Sequence, residues 1–201
     1  MFYFGSHISV AKGLLNEAKK VRKSKGNLLQ IFLTAKKHRK VSKKAEPELI
    51  EFKKYLEKHK MKVFVHSSYL VNLAKDWDKH SWWLKNLELE IEYAGKINAV
   101  GIVVHFGHKL QLSKTEAYNN MYSSILYILS KTKNSNVKIL LETSAGQGTE
   151  MCYRLDDLAY FYNKIKIGKL TDRVKLCIDT CHIFSAGYDI RTKEKIKMYL
   201  E

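Results

Sequence analysis

The chain has 201 residues, 45% of them hydrophobic, and its 36 lysine and arginine residues outnumber 20 acidic residues to give a formal net charge of +16. That length and apolar content suffice for one sizeable globular core. No apolar run approaches the roughly 18 residues that would span a membrane, and the N-terminus lacks the basic region and apolar stretch of a signal peptide. We therefore expect an intracellular protein, cytoplasmic or nucleoid-associated, that is neither secreted nor bound to a membrane.

The basic residues are unevenly placed, because no acidic residue occurs between Lys19 and Lys44. A strongly basic chain attracts polyanions. A lysine-rich composition with no particular partner would give the same net charge. The basic residues at 36–44, however, follow a predicted strand and look like a loop on the active face, which favours nucleic acid as the partner.

Apolar runs alternate along the chain with stretches of helical periodicity. The predicted strands cover residues 2–8, 28–33, 62–65, 99–104, 137–141 and 173–178. The predicted helices cover residues 9–23, a segment from 46 onward, 81–97, a segment up to 131, 156–164 and 192–200. Ser9 is the expected N-cap of the first helix, and Ser113 or Thr115 that of the fourth.

Two of these predicted helices show a clear apolar stripe, which we expect to face the core. The residues of the stripes are Leu49, Phe52, Tyr55 and Leu56 in the second helix, and Leu84, Leu87, Ile91 and Ala94 in the third.

Six strand–helix repeats with short connections predict an α/β fold with a parallel sheet and right-handed crossovers. An open doubly wound sheet is one option, but no GxGxxG motif follows the first strand. Candidate ligands at several strand ends fit a TIM (β/α)8-type barrel better. Such a barrel typically needs about 250 residues. We therefore expect residues 1–201 to form a single, incomplete barrel domain with about six βα units.

The residues that end the predicted strands suggest a metal site. His66, His105 and Glu142 each follow an apolar run, and Asp179 and His182 follow the sixth. Two imidazoles and a carboxylate match a catalytic zinc ion with one position open for water. Paired ions about 4 Å apart would suit cleavage of a phosphodiester.

Each of these residues also has an ordinary structural explanation. A single His after a strand is often a hydrogen-bonded loop residue, and Glu142 could cap a helix or pair with a lysine. Asp179 could be the N-cap of the turn that follows it. Cys177 and Cys181 are expected to be small buried residues beside Asp179, since three cysteines offer no disulfide framework. The recurrence at four strand ends favours the metal site.

Several segments, in this order along the chain, resemble the endonuclease IV family of zinc-dependent abasic-site (AP) endonucleases. They are GSHIS at 5–9, HSSYLVNL at 66–73, HFG at 105–107, ETSAGQG at 142–148, CIDTCH at 177–182 and AGYD at 186–189. The resemblance covers nearly the whole chain. Its most specific motifs are those around Glu142 and Asp179.

This resemblance implies a xylose-isomerase-like TIM barrel that holds three zinc ions. His66 and His105 would bind the first ion, the catalytic Glu142 would bridge the first and second, Asp179 would bind the second and His182 the third. The reaction implied is cleavage of the phosphodiester 5′ to an abasic site by zinc-activated hydroxide, which leaves a 3′-hydroxyl and a 5′-deoxyribose phosphate.

Double-stranded DNA with abasic sites is the partner that the resemblance implies. Tyr69 would enter the DNA beside the flipped-out abasic nucleotide. The loop after the second strand would also enter the DNA, through Lys36, Lys37, Arg39 and Lys40. This loop lacks the aromatic residue that the family usually carries there. The family supplies a further His, an Asp-x-His pair and a last Glu from strands 7 and 8, and these have no counterpart before Glu201.

A chain without those residues is expected to be a fragment, a truncated product or one part of a split protein that a partner polypeptide completes. Two other functions stay open on the same barrel: a sugar isomerase or epimerase, and a catalytically dead DNA-binding remnant. The net charge argues against the sugar enzyme, since a small neutral sugar needs no such field. The sequence assigns no role to His7 or His108.

Overall fold

The computed structural model describes residues 2–33 and 46–201. Strands and helices alternate along this part of the chain. The strands are β1 (Gly5–Ile8), β2 (Leu28–Ile31), β3 (Lys62–His66), β4 (Gly101–His105), β5 (Lys138–Glu142) and β6 (Val174–Cys177). The helices are α1 (Leu14–Lys23), α2 (Glu46–Lys58), α3 (Trp82–Lys96), α4 (Lys114–Lys131), α5 (Leu155–Ile167), α6 (Thr180–Ser185) and α7 (Lys193–Leu200).

The strands form one parallel sheet in the order of the sequence, from β1 to β6. A doubly wound sheet reverses its strand order at a switch point, whereas successive βα units of a barrel add strands in one direction. The sequential order therefore confirms the prediction of a TIM-type barrel with six βα units. It also places the C-terminal ends of all six strands at one edge of the sheet.

The apolar stripes predicted for the second and third helices do face the core. Leu49 and Phe52 of α2 are fully buried, as are Leu84 and Ile91 of α3. The inner strands contribute the opposite side of the same core, with residues such as Ile102, Val104 and Leu141. This packing fixes the strand ends, and with them the side chains that the ends carry.

The start of the first helix differs from the prediction, since Ser9 is not its N-cap. Helix α1 begins at Leu14, and Gly13 occupies the capping position with a φ of 89°. The amide of Gly13 donates to the carbonyl of Val10 at 3.0 Å, so residues 10–13 form a turn before the helix. Only glycine adopts such a φ without strain, and its position decides where the helix begins.

Of the two caps proposed for the fourth helix, Ser113 is the one observed. Its side chain accepts from the amide of Glu116, and the Glu116 carboxylate accepts from the amide of Ser113. This reciprocal capping box satisfies two amide groups that would otherwise lack partners.

The short helix α6 was not predicted. It begins directly after Asp179, whose carboxylate accepts from the amide of His182 at 2.9 Å. The expectation that Cys177 and Cys181 are buried is wrong, because Cys177 is only partly buried and Cys181 is exposed. Cys181 lies in the first turn of α6, which directs it away from the core. In the described ranges, no helix combines the length and the apolar character needed to cross a membrane.

Candidate metal centre

Three potential metal ligands end three neighbouring strands. His66 is the last residue of β3, His105 of β4 and Glu142 of β5. The backbone register pairs His105 directly with Glu142. The structure brings these side chains together, with one ligand atom from each within 4.8 Å of the others. We call His66, His105 and Glu142 the first donor set.

One carboxylate oxygen of Glu142 lies close to both histidines of this set. Glu142 Oε2 lies 2.9 Å from His105 Nε2 and 3.3 Å from His66 Nε2. Glu142 is 6% exposed and His66 is 4% exposed. Burial by itself raises the pKa of Glu142, but the neighbouring imidazoles of His105 and His66 outweigh that effect, so the pKa lies below its usual range. The carboxylate is therefore ionised and available as a ligand.

The hydrogen bonding of His66 tests whether a metal ion fits. His66 Nδ1 lies 2.8 Å from the carbonyl of Ser67, and a carbonyl only accepts, so Nδ1 carries the proton. Nε2 is therefore the ring nitrogen that faces Glu142 Oε2 and that would be the ligand atom. Although both imidazoles lie at ion-pair distance, no described residue gives Glu142 Oε2 a hydrogen bond of good geometry. A buried carboxylate oxygen that lies beside two imidazole nitrogens without a well-aligned hydrogen bond is an open position for a cation, so the first donor set fits a metal ion.

Glu142 also belongs to a second donor set, with Asp179 and His182. One ligand atom from each of these three residues lies within 4.8 Å of the others. Glu142 Oε1 lies 4.0 Å from His182 Nδ1. The resemblance assigned His182 to a third ion, and the geometry places it beside the residues assigned to the second. The two carboxylate oxygens of Glu142 thus face different histidines.

Asp179 has both of the roles that the sequence left open. Its Oδ1 caps α6 by accepting from the amide of His182. A carboxylate has a second oxygen, which the cap does not use. The capping bond therefore orients the group without removing it as a ligand.

Aromatic side chains border the first donor set. The ring of Tyr69 lies 5.2 Å from that of His66 and 5.5 Å from that of His105, and Tyr69 is 44% exposed. Phe32 lies 4.8 Å from His66 and 4.7 Å from His7. Partial burial, and then the negative charges of Glu142 and Asp179, raise the pKa of Tyr69. Tyr69 is therefore a neutral aromatic surface between the donor set and solvent.

The two histidines without an assigned role, His7 and His108, lie in different surroundings. The His7 ring lies 5.8 Å from that of His66, and His7 Nδ1 is 3.1 Å from the side-chain amide nitrogen of Gln30. His108 is placed by its backbone, through hydrogen bonds with Asn72 and an isolated antiparallel bridge to Glu150. His7 thus borders the site, whereas His108 belongs to a loop beside it.

The basic loop proposed for DNA contact lies outside the described residues. Its four candidates are Lys36, Lys37, Arg39 and Lys40, and all fall between residues 33 and 46.

Two residues at the site were missed by sequence reasoning, Phe32 and Thr143. Phe32 follows β2 by one residue and is 5% exposed, although the predicted strand ran through it as ordinary core. Thr143 directly follows Glu142, and it contacts Asp179 and His182 across the sheet. In the sequence, its position next to the candidate ligand Glu142 was the feature that could have marked it as a site residue.

The opposite end of the sheet carries a different feature. A cavity of about 980 Å³ lies between α3 and the segment that follows α4, and its lining includes Ala99 and Val137. These two residues come just before β4 and β5, at the N-terminal ends of the strands. The cavity is therefore separate from both donor sets.

Comparison with known proteins shows what the chain is similar to. Residues 19–200 match the family model of the xylose isomerase-like TIM barrel. The chain is 36% identical over 204 residues to a protein named probable endonuclease 4 from Mycoplasmopsis agalactiae, a match that covers 98% of this chain and 70% of that protein. It is 32% identical to a putative endonuclease 4 from Acanthamoeba polyphaga mimivirus, over 98% of this chain and 65% of that protein. The chain thus spans 65% to 70% of the length of these relatives.

Solved structures show the same fold. Endonuclease IV from Thermus thermophilus superposes with a TM-score of 0.76 at 22% identity, over 98% of this chain and 70% of that one. A D-tagatose 3-epimerase-like protein superposes with a TM-score of 0.70 at 15% identity, over 96% of this chain and 72% of that one. At these identities the superpositions establish the barrel fold only. The chemistry has to be inferred from the residues of the site.

Proposed function

Because the chain belongs to the endonuclease IV family of xylose-isomerase-like TIM barrels, we propose that it is a DNA-repair endonuclease that hydrolyses the phosphodiester 5′ to an abasic site. The products would be a 3′-hydroxyl and a 5′-deoxyribose phosphate. The observation that carries the proposal is the position of Glu142, whose carboxylate belongs to both donor sets. A carboxylate shared by two cations suits a reaction in which the attacking and leaving oxygens are both stabilised.

Zinc is the ion that we propose for these sets. Imidazole nitrogen and carboxylate oxygen are usual zinc ligands, and three protein ligands leave a fourth position open. When bound there, zinc supplies a Lewis acid that activates water and neutralises charge on the phosphate. His66, His105 and Glu142 would hold one ion, and Glu142 and Asp179 a second. His182, which the resemblance assigns to a third ion, lies beside the ligands of the second.

The residues of the chain prepare this site in ways that the structure supports. The hydrogen bond from His66 Nδ1 to Ser67 fixes the ring and leaves Nε2 as the ligand atom. The lowered pKa of Glu142 keeps its carboxylate charged although it is buried. Preformed ligands of this kind lose little conformational freedom when an ion binds.

Selection of abasic DNA is proposed to depend on Tyr69 and on the basic loop. The exposed ring of Tyr69 stands beside both histidines of the first donor set, where it could stack on DNA next to the lesion. An abasic nucleotide has no base to unstack, so extruding it costs little. The basic loop would contact DNA phosphates, and such contacts form with DNA of any sequence. The residues of the loop that would make them are Lys36, Lys37, Arg39 and Lys40.

A sugar isomerase or epimerase is the main alternative on this fold, and it is less well supported. The curated relatives at 32% to 36% identity are named endonucleases, whereas the epimerase-like structure is 15% identical. The net charge of +16 also suits a polyanionic substrate.

The edges of the sheet support a further part of the proposal. Among the described residues, β1 pairs only with β2, and β6 pairs only with β5. An unpaired strand edge exposes backbone groups that can pair with another strand. We propose that residues 1–201 belong to one barrel domain, and that added strands, from a longer form of this chain or a partner polypeptide, pair with these edges.

The test is incision of a duplex that carries one tetrahydrofuran analogue of an abasic site, with added Zn2+ and, separately, with chelator. We expect zinc-dependent cutting on the 5′ side of the analogue, and none in a matched undamaged duplex. Binding of the damaged duplex without cutting would instead identify a DNA-binding remnant. Turnover of free sugars without incision would support the epimerase alternative.

A further inference from the structure

Thr143 connects the two strands that carry the second donor set. It follows Glu142 at the end of β5, and its side chain is buried, with 3% of the residue exposed. Its amide donates to the carbonyl of Cys177, the last residue of β6, at 3.0 Å. Its other two polar groups contact the residues that come after β6.

The hydroxyl of Thr143 fixes the backbone of Asp179. Thr143 Oγ1 accepts a hydrogen bond from the amide of Asp179 at 3.0 Å. Asp179 Oδ1 in turn accepts from the amide of His182, as the N-cap of α6. The hydroxyl therefore fixes the position of Asp179, from which α6 starts, and it thereby helps to orient the Asp179 carboxylate.

The carbonyl of Thr143 fixes the ring of His182. His182 Nδ1 lies 2.8 Å from this carbonyl, and because a carbonyl only accepts, Nδ1 carries the proton. The neutral ring then has its lone pair on Nε2. Histidine ligands commonly use one ring nitrogen for the metal and donate from the other to an oxygen of this kind.

We propose that Thr143 is the positioning residue of the second donor set. Its hydroxyl holds the backbone of Asp179, and its carbonyl orients the ring of His182. This inference rests on the proposed function, since it concerns the ions that the two donor sets would hold. Thr143 binds no ion itself. It acts on Asp179 and His182, whereas His66 and His105 are held by other contacts.

The contrast between the donor sets allows a sharp test. Thr143→Val keeps the shape and the carbonyl but removes the acceptor for the Asp179 amide. Thr143→Ser restores the hydroxyl. Thr132→Val is a matched control, because the Thr132 hydroxyl also makes hydrogen bonds, to Ile128 and Arg173, at the other end of the sheet.

The measurement is stepwise Zn2+ binding by the whole chain in competition with a chromophoric chelator. In Thr143→Val we expect one zinc affinity to fall about 10- to 100-fold, the usual effect of losing a partner of a metal ligand, while the other changes less than about threefold. Thr143→Ser and Thr132→Val should both bind zinc like the original chain. Melting temperatures without metal show whether each variant folds.

The outcomes separate the two proposals. If the original chain binds no zinc, the proposed function fails, and this inference fails with it. If the original chain binds two ions and Thr143→Val binds them equally well, only the inference is wrong. An equal loss at both sites, or no rescue by serine in a folded variant, would show a general structural role and overturn it as well.

Discussion

The two ends of the parallel sheet use their polar groups in opposite ways. At the N-terminal end, the guanidinium of Arg173 donates to the carbonyls of Val137 and Thr132 and to the Thr132 hydroxyl, at 3.3 to 3.4 Å. At the C-terminal end, Glu142 Oε2 is buried beside two imidazoles and receives no well-aligned hydrogen bond from the described residues.

This difference agrees with the proposed function, which places the chemistry at the C-terminal end of the sheet. Groups that hydrogen-bond one another stabilise the fold, whereas a buried carboxylate oxygen without a well-aligned hydrogen bond is an open position for a cation. Barrel enzymes generally keep their chemistry at the C-terminal end of the strands and stability at the other. The proposed function follows this division, so substitutions at the C-terminal end should mainly affect chemistry and those at the N-terminal end should mainly affect stability.

The largest effect is expected from Glu142→Ala at the C-terminal end. We expect incision of the abasic duplex to fall by about 10²- to 10³-fold, the order found when a group that stabilises charge in the transition state is removed. Salt-dependent binding of DNA should be largely retained, because it depends on lysine and arginine. Incision rates and filter binding measure the two properties, and unchanged cutting would rule out the assignment of Glu142.

At the N-terminal end, Arg173→Met should reduce stability and leave chemistry alone. Loss of its hydrogen bonds to Thr132 and Val137 should cost about 2 kcal/mol. For a chain of this size that lowers the melting temperature by about 4–8 °C. Arg22→Met on the exposed side of α1 is the matched control and should melt like the original chain. A fall in incision rate well below the melting temperature would contradict the division between the ends.

Tyr69→Ala tests whether the aromatic border of the site recognises the lesion. Removal of a stacking ring should weaken binding of the abasic duplex about tenfold, at the lower end of measured base–aromatic contributions. Binding of intact duplex should be unchanged. The control is Tyr160→Ala on α5, where an equally exposed tyrosine lies away from the donor sets. Equal losses for intact and abasic DNA would show that Tyr69 contributes only general affinity.

The smallest effect is a loss of stability at the C-terminal end in the absence of metal. Burial raises the pKa of Glu142, but the imidazoles of His105 and His66 hold it below its usual range. The charge of Glu142 therefore stabilises the fold at neutral pH, and Glu142→Gln should cost about 1 kcal/mol. Chemical denaturation in chelator measures this difference. Added Zn2+ should widen it, because zinc stabilises only the chain that binds it well. A variant more stable than the original chain in chelator would show that the imidazoles do not compensate the buried charge.

The sequence predicted the features that repeat along the chain. The period of the apolar residues located all six strands, and the polar residue after each run located His66, His105 and Glu142. Parallel strands bring such ends to one edge whatever their exact bounds, so errors of one to three residues did not affect the prediction of the site.

The features that depend on contacts distant in sequence were not predicted. The bond between Thr143 and Asp179 joins residues 36 apart, and no local pattern shows that the hydroxyl will meet that amide. Phe32 is part of the site because β2 lies next to β3, which the residue types alone do not reveal. The start of α1 depends on the positive φ of Gly13, which overrode the capping preference of Ser9.

A count of bound zinc shows whether Glu142 is shared by two metal sites, as proposed. Native mass spectrometry of the original chain and of Glu142→Ala, at equal stoichiometric Zn2+, would give the number of ions on each. We predict two ions on the original chain and none retained on the variant, because each donor set loses a ligand. A variant that keeps one ion, or two, would contradict a shared carboxylate.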